Sequence, residues 1–223
     1  MRLRRPFVKI CCISSPEEAQ LAIAAGASAL GLVSAMPSGP GVIDEDLIAQ
    51  IAAVVPPGID TFLLTSRQDA TSIIEQHRRC LTTTLQLVDA LPEAELRRLR
   101  RKLPGVQLVQ VIHVIGEQSV AQALAVAPLV DALLLDSGNP ALAVKQLGGT
   151  GRTHDWALSR RIVAHSGVPV FLAGGLRAHN VAEAIAEVQP HGLDLCSSVR
   201  SDGRLDAVKL QAFFDAVAAT API

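Results

Sequence analysis

The sequence predicts an α/β fold with a single (β/α)8 barrel that occupies residues 1–223 as one domain. Short runs rich in Val, Ile and Leu alternate with longer Ala-rich windows, which predicts a parallel sheet covered by helices. Eight such βα units follow one another without a leftover segment, and eight units in this length favour a closed TIM barrel over an open sheet. Hydrophobic residues make up 49% of the chain and aromatic residues only 3%, so the core must consist of Ala, Val, Leu and Ile.

The first βα unit shows the local signals behind this prediction. Residues 6–11 are predicted to form a strand, and residues 16–25 a helix that Ser14 or Ser15 caps and Gly26 ends. The other strands are predicted at residues 29–33, 59–64, 82–87, 107–113, 131–136, 168–173 and 193–197. The other helices are predicted at residues 44–55, 69–78, 92–102, 117–126, about 155–166, 178–187 and 206–218.

Composition excludes several classes of protein. The net charge of -1 gives no basic field for nucleic acid. The four cysteines fit neither a zinc site nor a secreted disulfide framework, and the six histidines show no metal-binding spacing. No signal peptide and no stretch that could span a membrane is evident, so we expect a cytoplasmic protein.

Catalysis in such barrels takes place at the carboxyl ends of the strands. Residues of polar or reactive type at these ends are Cys11, Cys12, Ser34, Thr65, Asp89, His113, Asp136, Ser197 and Ser198. Cys11 and Cys12, if both are strand residues, should point to opposite faces of the sheet. His113 is expected to be a strand-end residue rather than a catalyst.

Three loops of small residues converge on the same rim. They contain Gly149 and Gly151 after strand six, Gly174 and Gly175 after strand seven, and Ser197 and Ser198 after strand eight. Loops after the last strands of this fold frequently bind phosphate through backbone N–H groups, and glycine lets the backbone approach an anion closely. The alternative is that these glycines serve only tight turns, but three such loops together favour a phosphate site.

Cys11 and Asp136 end strands one and six, where a thiol and a carboxylate can divide base and acid work. The base would have to be a thiolate, which nearby N–H groups or a cation such as Lys9 would favour. Taken singly, Cys11 is better explained as a small buried hydrophobic residue and Asp136 as an N-cap or turn residue. Their joint placement on the rim favours catalysis.

Five segments resemble signature blocks of the phosphoribosylanthranilate isomerase family of tryptophan biosynthesis. They are residues 8–11 (VKIC), 131–137 (DALLLDS), 148–156 (GGTGRTHDW), 172–180 (LAGGLRAHN) and 194–199 (DLCSSV). Order and spacing match the family from residue 8 to about residue 217, so the resemblance covers nearly the whole chain.

The resemblance implies an Amadori rearrangement of N-(5-phosphoribosyl)anthranilate to 1-(2-carboxyphenylamino)-1-deoxyribulose 5-phosphate. It implies that Asp136 is the general acid that opens the furanose ring and that Cys11 is the general base that removes the C2 proton. The phosphate would bind at the three loops described above. Both steps move one proton, so no metal or organic cofactor is expected.

The sequence departs from the family pattern on the side that would hold the anthranilate. Cys12 stands where the family has Gly, and residues 38–41 (SGPG) lack the family's arginine. The Leu-His-Gly motif after strand four is replaced by residues 87–89 (LVD), and the Gly and Glu of the last block are replaced by Ser198 and Arg200. Arg177 or Arg200 is a candidate for the replacement cation.

Two alternatives follow from these departures. The chain could be a divergent paralogue that is non-catalytic or acts on another phosphorylated metabolite. It could also be a sugar-phosphate epimerase, although the strand ends offer few of the paired Asp residues that such enzymes use. The expected partner is a small sugar-phosphate substrate, without nucleic acid or membrane, and the chain is expected to be a monomer or a homodimer.

Overall fold

The computed structural model describes residues 7–138 and 153–220, and it confirms the (β/α)8 barrel: eight parallel strands close in chain order. The strands are β1 (Phe7–Ile10), β2 (Ala29–Val33), β3 (Asp60–Thr65), β4 (Thr84–Leu87), β5 (Gln107–His113), β6 (Ala132–Asp136), β7 (Val170–Leu172) and β8 (Gly192–Leu195). The helices are α1 (Pro16–Ala25), α2 (Glu45–Val54), α3 (Ala70–Cys80), α4 (Glu93–Lys102), α5 (Gln118–Val126), α6 (Trp156–His165), α7 (Val181–Val188) and α8 (Ala207–Ala218). A short antiparallel ribbon, β9 (Arg200–Ser201) and β10 (Arg204–Leu205), lies between β8 and α8.

Five of the eight helices in the described segments begin at a residue whose side chain accepts a hydrogen bond from the first turn. Ser15 accepts a hydrogen bond from Glu18 N–H at 3.2 Å, so Ser15 rather than Ser14 is the cap of α1. Aspartates cap α2, α3, α6 and α8: Asp44, Asp69, Asp155 and Asp206. The longest of these helices has 12 residues, and none in the two described segments has the length and hydropathy needed to cross a membrane.

The predicted bounds are wrong by a few residues at several ends. Helix α7 begins at Val181 rather than at 178, because Arg177 N–H donates to Asn180 Oδ1 at 2.8 Å in a turn before it. Strand β8 ends at Leu195, so Ser197 lies not in a strand but in the 3-10 turn Ser197–Val199 that follows. The loops of the rim therefore begin earlier than the sequence suggests.

Side-chain alternation divides the core into two parts. Leu63 of β3, for example, packs with the helices, whereas its neighbours Phe62 and Leu64 belong to a separate cluster that fills the barrel interior. This inner cluster also holds Cys11 at its upper end. Besides Ala, Val and Leu, the interior holds Phe62 and Phe171, with Phe7 packed against them, so the expectation of a core of Ala, Val, Leu and Ile alone is wrong here.

An ion pair lies inside the barrel at the seam between the first and the last strand. Lys9 of β1 and Asp194 of β8 are directly opposite in register, and Lys9 Nζ donates to Asp194 Oδ1 at 2.8 Å. The Lys9 side chain is completely buried, and its ammonium lies 5.2 Å from the centre of the Phe62 ring. Burial lowers the pKa of Lys9, but the nearby Asp194 carboxylate outweighs it and holds the pKa above its usual value.

We expect Asp194→Ala to destabilise the barrel strongly, because it leaves the Lys9 ammonium buried without a partner. Removing one member of a buried ion pair costs about 3–5 kcal/mol, whereas replacing both members by apolar residues of similar volume is often close to neutral. The free energy of unfolding in urea should therefore fall far more in Asp194→Ala than in the double variant Lys9→Met/Asp194→Leu. Equal losses in the two variants would contradict this account of the pair.

Candidate active site

A pocket of about 740 Å³, partly open to solvent, lies at the carboxyl ends of the strands. Its wall includes residues of β2, β3, β4, β6 and β8 and of the loops that follow β1, β2, β7 and β8. The predicted residues among its lining are Cys11, Asp136, Gly174, Gly175, Ser197 and Ser198. Gly149 and Gly151, predicted to complete the phosphate site, lie outside the described residues.

Cys11 follows β1 directly and is buried, with its thiol turned to the barrel axis. The space for it comes from Gly31 on β2: a Cβ at Gly31 would lie 2.8 Å from Cys11 Sγ and 2.9 Å from Lys9 Nζ. No larger residue therefore fits at position 31 without displacing one of the two groups. The thiol consequently lies close to the buried ammonium.

The pKa of the Cys11 thiol is lowered. The main cause is a hydrogen bond with the Cys12 thiol, which stabilises the Cys11 thiolate; burial opposes it, and the positive charge of Lys9 assists. The pKa of Cys12 is correspondingly raised, chiefly by the same hydrogen bond. Of the two thiols, Cys11 therefore ionises more readily than Cys12.

The expectation that Cys11 and Cys12 point to opposite faces is wrong, since both line the pocket. The strand ends at Ile10, and the backbone of Cys12 adopts a left-handed conformation with φ of 64°. This conformation is uncommon for a residue other than glycine, and it turns the second thiol back into the mouth of the barrel. There the Cys12 sulfur lies 3.6 Å from Pro40 O and 2.7 Å from the Cys196 sulfur.

Asp136 is the last residue of β6 and is buried against the pocket. Its Oδ1 accepts hydrogen bonds from Ser137 N–H at 2.7 Å and from the Ser137 hydroxyl at 3.4 Å. These bonds fix the carboxyl group at the strand end. The structure thus brings the predicted acid and the predicted base into one pocket.

The loop after β7 has the backbone geometry that glycine permits. Gly174 and Gly175 have φ of 82° and 65°, a region that side chains with a Cβ rarely adopt. Asn180 fixes this loop from the start of α7, where its Nδ2 donates to Gly175 O at 3.1 Å. Ser197 and Ser198, which begin the turn after β8, lie on the same pocket.

Gln86 lines the pocket but was not predicted from the sequence. It is only 4% exposed, and its Oε1 has no hydrogen-bond partner among the described residues. A buried carbonyl without a partner is costly, so this oxygen is suited to a ligand. The available signal was its position in β4, where alternation puts Gln86 on the same face as the buried Thr84.

The other polar residues at the strand ends are held in structural contacts away from this pocket. Ser34 Oγ donates to Leu64 O at 2.7 Å, and His113 Nε2 lies 3.1 Å from Val88 O, in accord with the structural role expected for His113. Asp89 accepts from Ala90 N–H at 2.9 Å and is not part of the pocket lining. Thr65 accepts from the N–H of the residue two positions later in its loop.

The structure distinguishes between Arg177 and Arg200, the two candidates for the replacement cation. Arg200 is engaged elsewhere, because its guanidinium pairs with Glu18 at 2.9 Å and donates to Cys12 O at 2.5 Å. Arg177 lies on the pocket, directly after the glycine loop and Leu176. Only Arg177 of the two is placed to meet a ligand there.

The fold and this pocket define a (β/α)8-barrel protein with a thiol and a carboxyl group at its mouth. A family model for N-(5'-phosphoribosyl)anthranilate isomerase matches residues 8–216. The chain therefore belongs to the N-(5'-phosphoribosyl)anthranilate isomerase family.

Individual relatives agree with this assignment. The chain is 34% identical to the N-(5'-phosphoribosyl)anthranilate isomerase of Methanosarcina acetivorans, covering 96% of this chain and 93% of the relative. The crystal structure of the phosphoribosylanthranilate isomerase from Thermus thermophilus superposes with a TM-score of 0.80 at 28% identity, covering 96% of this chain and 98% of that one. The enzyme from Thermotoga maritima gives a TM-score of 0.82 at 25% identity with the same coverage.

We expect Cys12→Gly to raise the pKa of Cys11, because it removes the main hydrogen bond to the thiolate while allowing the left-handed backbone. A hydrogen bond to a charged group contributes about 1.5 kcal/mol or more, so alkylation of Cys11 by iodoacetamide at neutral pH should slow about tenfold. The rate would be followed against pH by mass spectrometry of the tryptic peptide 10–67, which holds Cys11. In the control Cys80→Ala, the pH profile should stay that of the wild type; an unchanged profile in Cys12→Gly would contradict the proposed hydrogen bond.

Proposed function

We propose that this chain catalyses the Amadori rearrangement of N-(5-phosphoribosyl)anthranilate to 1-(2-carboxyphenylamino)-1-deoxyribulose 5-phosphate, as its family does, with Cys11 and Asp136 as the catalytic pair. The observation that carries the residue assignment is the meeting of an ionisable thiol and a buried carboxyl group in one pocket beside the glycine and serine loops. The family membership favours this activity over a non-catalytic paralogue or a sugar-phosphate epimerase.

In the first step Asp136 acts as general acid. It donates a proton to the furanose ring oxygen, the C1–O bond breaks, and the nitrogen lone pair forms a Schiff base at C1. The hydrogen bonds from Ser137 hold one carboxyl oxygen, which leaves the other for the proton that is transferred.

In the second step Cys11 acts as general base. Its thiolate removes the proton from C2, and the electron pair moves into the C1–C2 bond to give an enolamine, which tautomerises to the ketose. The lowered pKa of Cys11 supplies the thiolate, and the neighbouring Lys9 ammonium limits the cost of its charge in the barrel. Both steps are proton transfers, so this scheme needs no metal or organic cofactor.

We assign the substrate phosphate to the loops after β7 and β8. Gly174 and Gly175 present backbone N–H groups, Ser197 and Ser198 add hydroxyl groups, and Arg177 adds a positive charge at the edge. Gly149 and Gly151 are proposed to complete this site on the strength of the family resemblance alone. The carboxamide of Gln86 is proposed to bind a ribose hydroxyl, because it offers an acceptor and two donors next to the catalytic pair.

The setting of the reaction follows from the same residues. One chain supplies both the acid and the base, so the proposed reaction can proceed in a monomer or in a homodimer. We propose the cytoplasm as the compartment, because all four cysteines are free thiols, as a reducing environment favours.

We expect Cys11→Ala and Asp136→Asn to lower kcat by about 10²–10⁴-fold, the usual contribution of general acid–base catalysis. Turnover would be followed by the optical change of the anthranilate group, and circular dichroism would show that the fold is kept. Matched controls are Cys80→Ala, at a thiol buried under the helices, and Asp89→Asn, at a carboxyl group outside the pocket lining. Wild-type activity in either catalytic variant would remove that residue from the mechanism; a folded wild type without turnover would overturn the proposed function.

We expect Gln86→Leu to separate activity from stability. It removes an unpartnered buried carbonyl, so the free energy of unfolding should stay the same or rise, while kcat/KM should fall about tenfold for a lost substrate hydrogen bond. The matched control is Gln110→Leu on the neighbouring strand, whose Nε2 donates to Leu87 O, Asp89 O and Val111 O at 3.0–3.1 Å. That variant should lose stability; a similar loss of stability in Gln86→Leu would show that Gln86 serves the fold and not the substrate.

A further inference from the structure

Three thiols lie at the mouth of the barrel, and the proposed reaction uses only one of them as a base. Besides Cys11, the thiols of Cys12 and Cys196 lie in the pocket wall, with their sulfur atoms 2.7 Å apart. We refer to Cys12 and Cys196 as the mouth dithiol. The two residues are 184 positions apart in the chain and follow β1 and β8, the strands that close the barrel.

Cys12 is held in place from several sides. Its backbone has the left-handed φ of 64°, its carbonyl accepts a hydrogen bond from Arg200 Nη2, and its thiol contacts Pro40 O. The loop after β2 packs so closely on it that a Cβ at Gly41 would collide with the Cys12 side chain. The direction of the Cys12 thiol toward Cys196 is therefore fixed by its surroundings.

Cys196 differs from Cys12 in accessibility. Cys12 is buried, whereas Cys196 is half-buried at the edge of the pocket, next to the solvent-exposed Ser197. An incoming reagent therefore meets Cys196 first and finds Cys12 directly behind it.

We propose that the mouth dithiol is a redox modification site, which a small disulfide of the glutathione class converts to a Cys12–Cys196 disulfide, and that this oxidised form has reduced isomerase activity. The reduced activity of the oxidised form rests on the proposed function, whereas the formation of the disulfide does not. A disulfide bond is about 2.05 Å long, so the two sulfur atoms need only a small rotation of their side chains to reach it.

The reaction balances as two thiol–disulfide exchanges. The Cys196 thiolate attacks one sulfur of the oxidant, which breaks the oxidant's S–S bond and releases one thiolate. Cys12, which loses its proton as it reacts, then attacks the Cys196 sulfur of the mixed disulfide and expels the second thiolate. Two electrons pass from the protein to the oxidant, and the two protons lost by Cys12 and Cys196 are taken up by the two released thiolates.

Oxidation would act on the active site through two contacts. In the disulfide Cys12 has no thiol proton, so it cannot donate to the Cys11 thiolate, and less thiolate is then available as the base. The bond also joins the residue after Cys11 to the residue before Ser197, which ties the base to the loop proposed to bind phosphate. A rigid link between these two segments opposes the small adjustments that a substrate requires.

The first experiment detects the bond itself, independently of activity. Folded wild-type protein is incubated with oxidised glutathione, the remaining thiols are alkylated, and tryptic peptides are analysed by mass spectrometry. We expect a crosslink between peptides 10–67 and 178–200, with the loss of two hydrogen masses and reversal by dithiothreitol. Peptide 10–67 holds both Cys11 and Cys12, so Cys11→Ser should retain the crosslink, whereas Cys12→Gly and Cys196→Ser should lose it.

The second experiment measures activity, with each variant compared to its own reduced form. We expect oxidation to reduce the turnover of wild type and of the control Cys80→Ala about tenfold, the size expected for losing a hydrogen bond to a charged group. Cys12→Gly and Cys196→Ser should lose much less of their activity under the same treatment.

Three results would overturn the inference. They are a crosslink that persists in Cys12→Gly, a stable glutathione adduct on Cys11 without any crosslink, or full activity of the crosslinked wild type. If the crosslink forms but the reduced protein has no isomerase activity, the redox site is supported and the proposed function is contradicted. The failure of one proposal can therefore be told from the failure of the other.

Discussion

The ion pair between Lys9 and Asp194 joins the first strand to the last and supports the active site at the same time. The two residues face each other in register across the seam of the barrel. A shift of one residue in this pairing would turn one charge out of the interior and leave the other buried without a partner. The pair therefore links correct barrel closure to the position of a positive charge beneath Cys11.

Two glycines leave the space that the thiols and the Lys9 ammonium occupy. Gly31 leaves room for both Cys11 Sγ and Lys9 Nζ, and Gly41 leaves room for the side chain of Cys12. In each case a Cβ would occupy the volume that a reactive or polar group now fills. The interior of the barrel is thus packed around the thiols, and the direction of each thiol follows from its neighbours.

The barrel and the position of its pocket could be predicted from the sequence, because both depend on local signals. Alternation of strands and helices predicts the barrel, and the rule that strand ends form the active site places Cys11 and Asp136 in one pocket. The sequence could not specify the direction of the Cys12 thiol, because that direction depends on where β1 ends. The thiol of Cys12 was expected on the opposite face, and it lies in the pocket because β1 ends at Ile10 and the backbone then turns with a positive φ.

Contacts between residues far apart in the chain were the second feature that the sequence could not specify. Lys9 was recognised as a cation near Cys11, but its partner Asp194 lies 185 residues away, and only closure of the barrel brings the two together. The role proposed for Gln86 depends on an Oε1 atom without a hydrogen-bond partner among the described residues, and no pattern in the sequence reveals this. Arg177 and Arg200 were equal candidates until the structure showed Arg200 bound to Glu18.

The balance of charge in the pocket constrains how the proposed reaction can proceed. Lys9 and Asp194 cancel each other, so an ionised Cys11 leaves the interior of the mouth with one negative charge before the substrate enters. The substrate adds a phosphate and a carboxylate, and like charges in a partly desolvated pocket repel strongly. One feature that reduces this repulsion is Arg177, which lies on the pocket beside the loop where the phosphate is proposed to bind. Between the two steps of this scheme Asp136 and Cys11 both carry negative charge, and the protonated Schiff base formed at C1 supplies a positive charge near them until Cys11 takes the C2 proton.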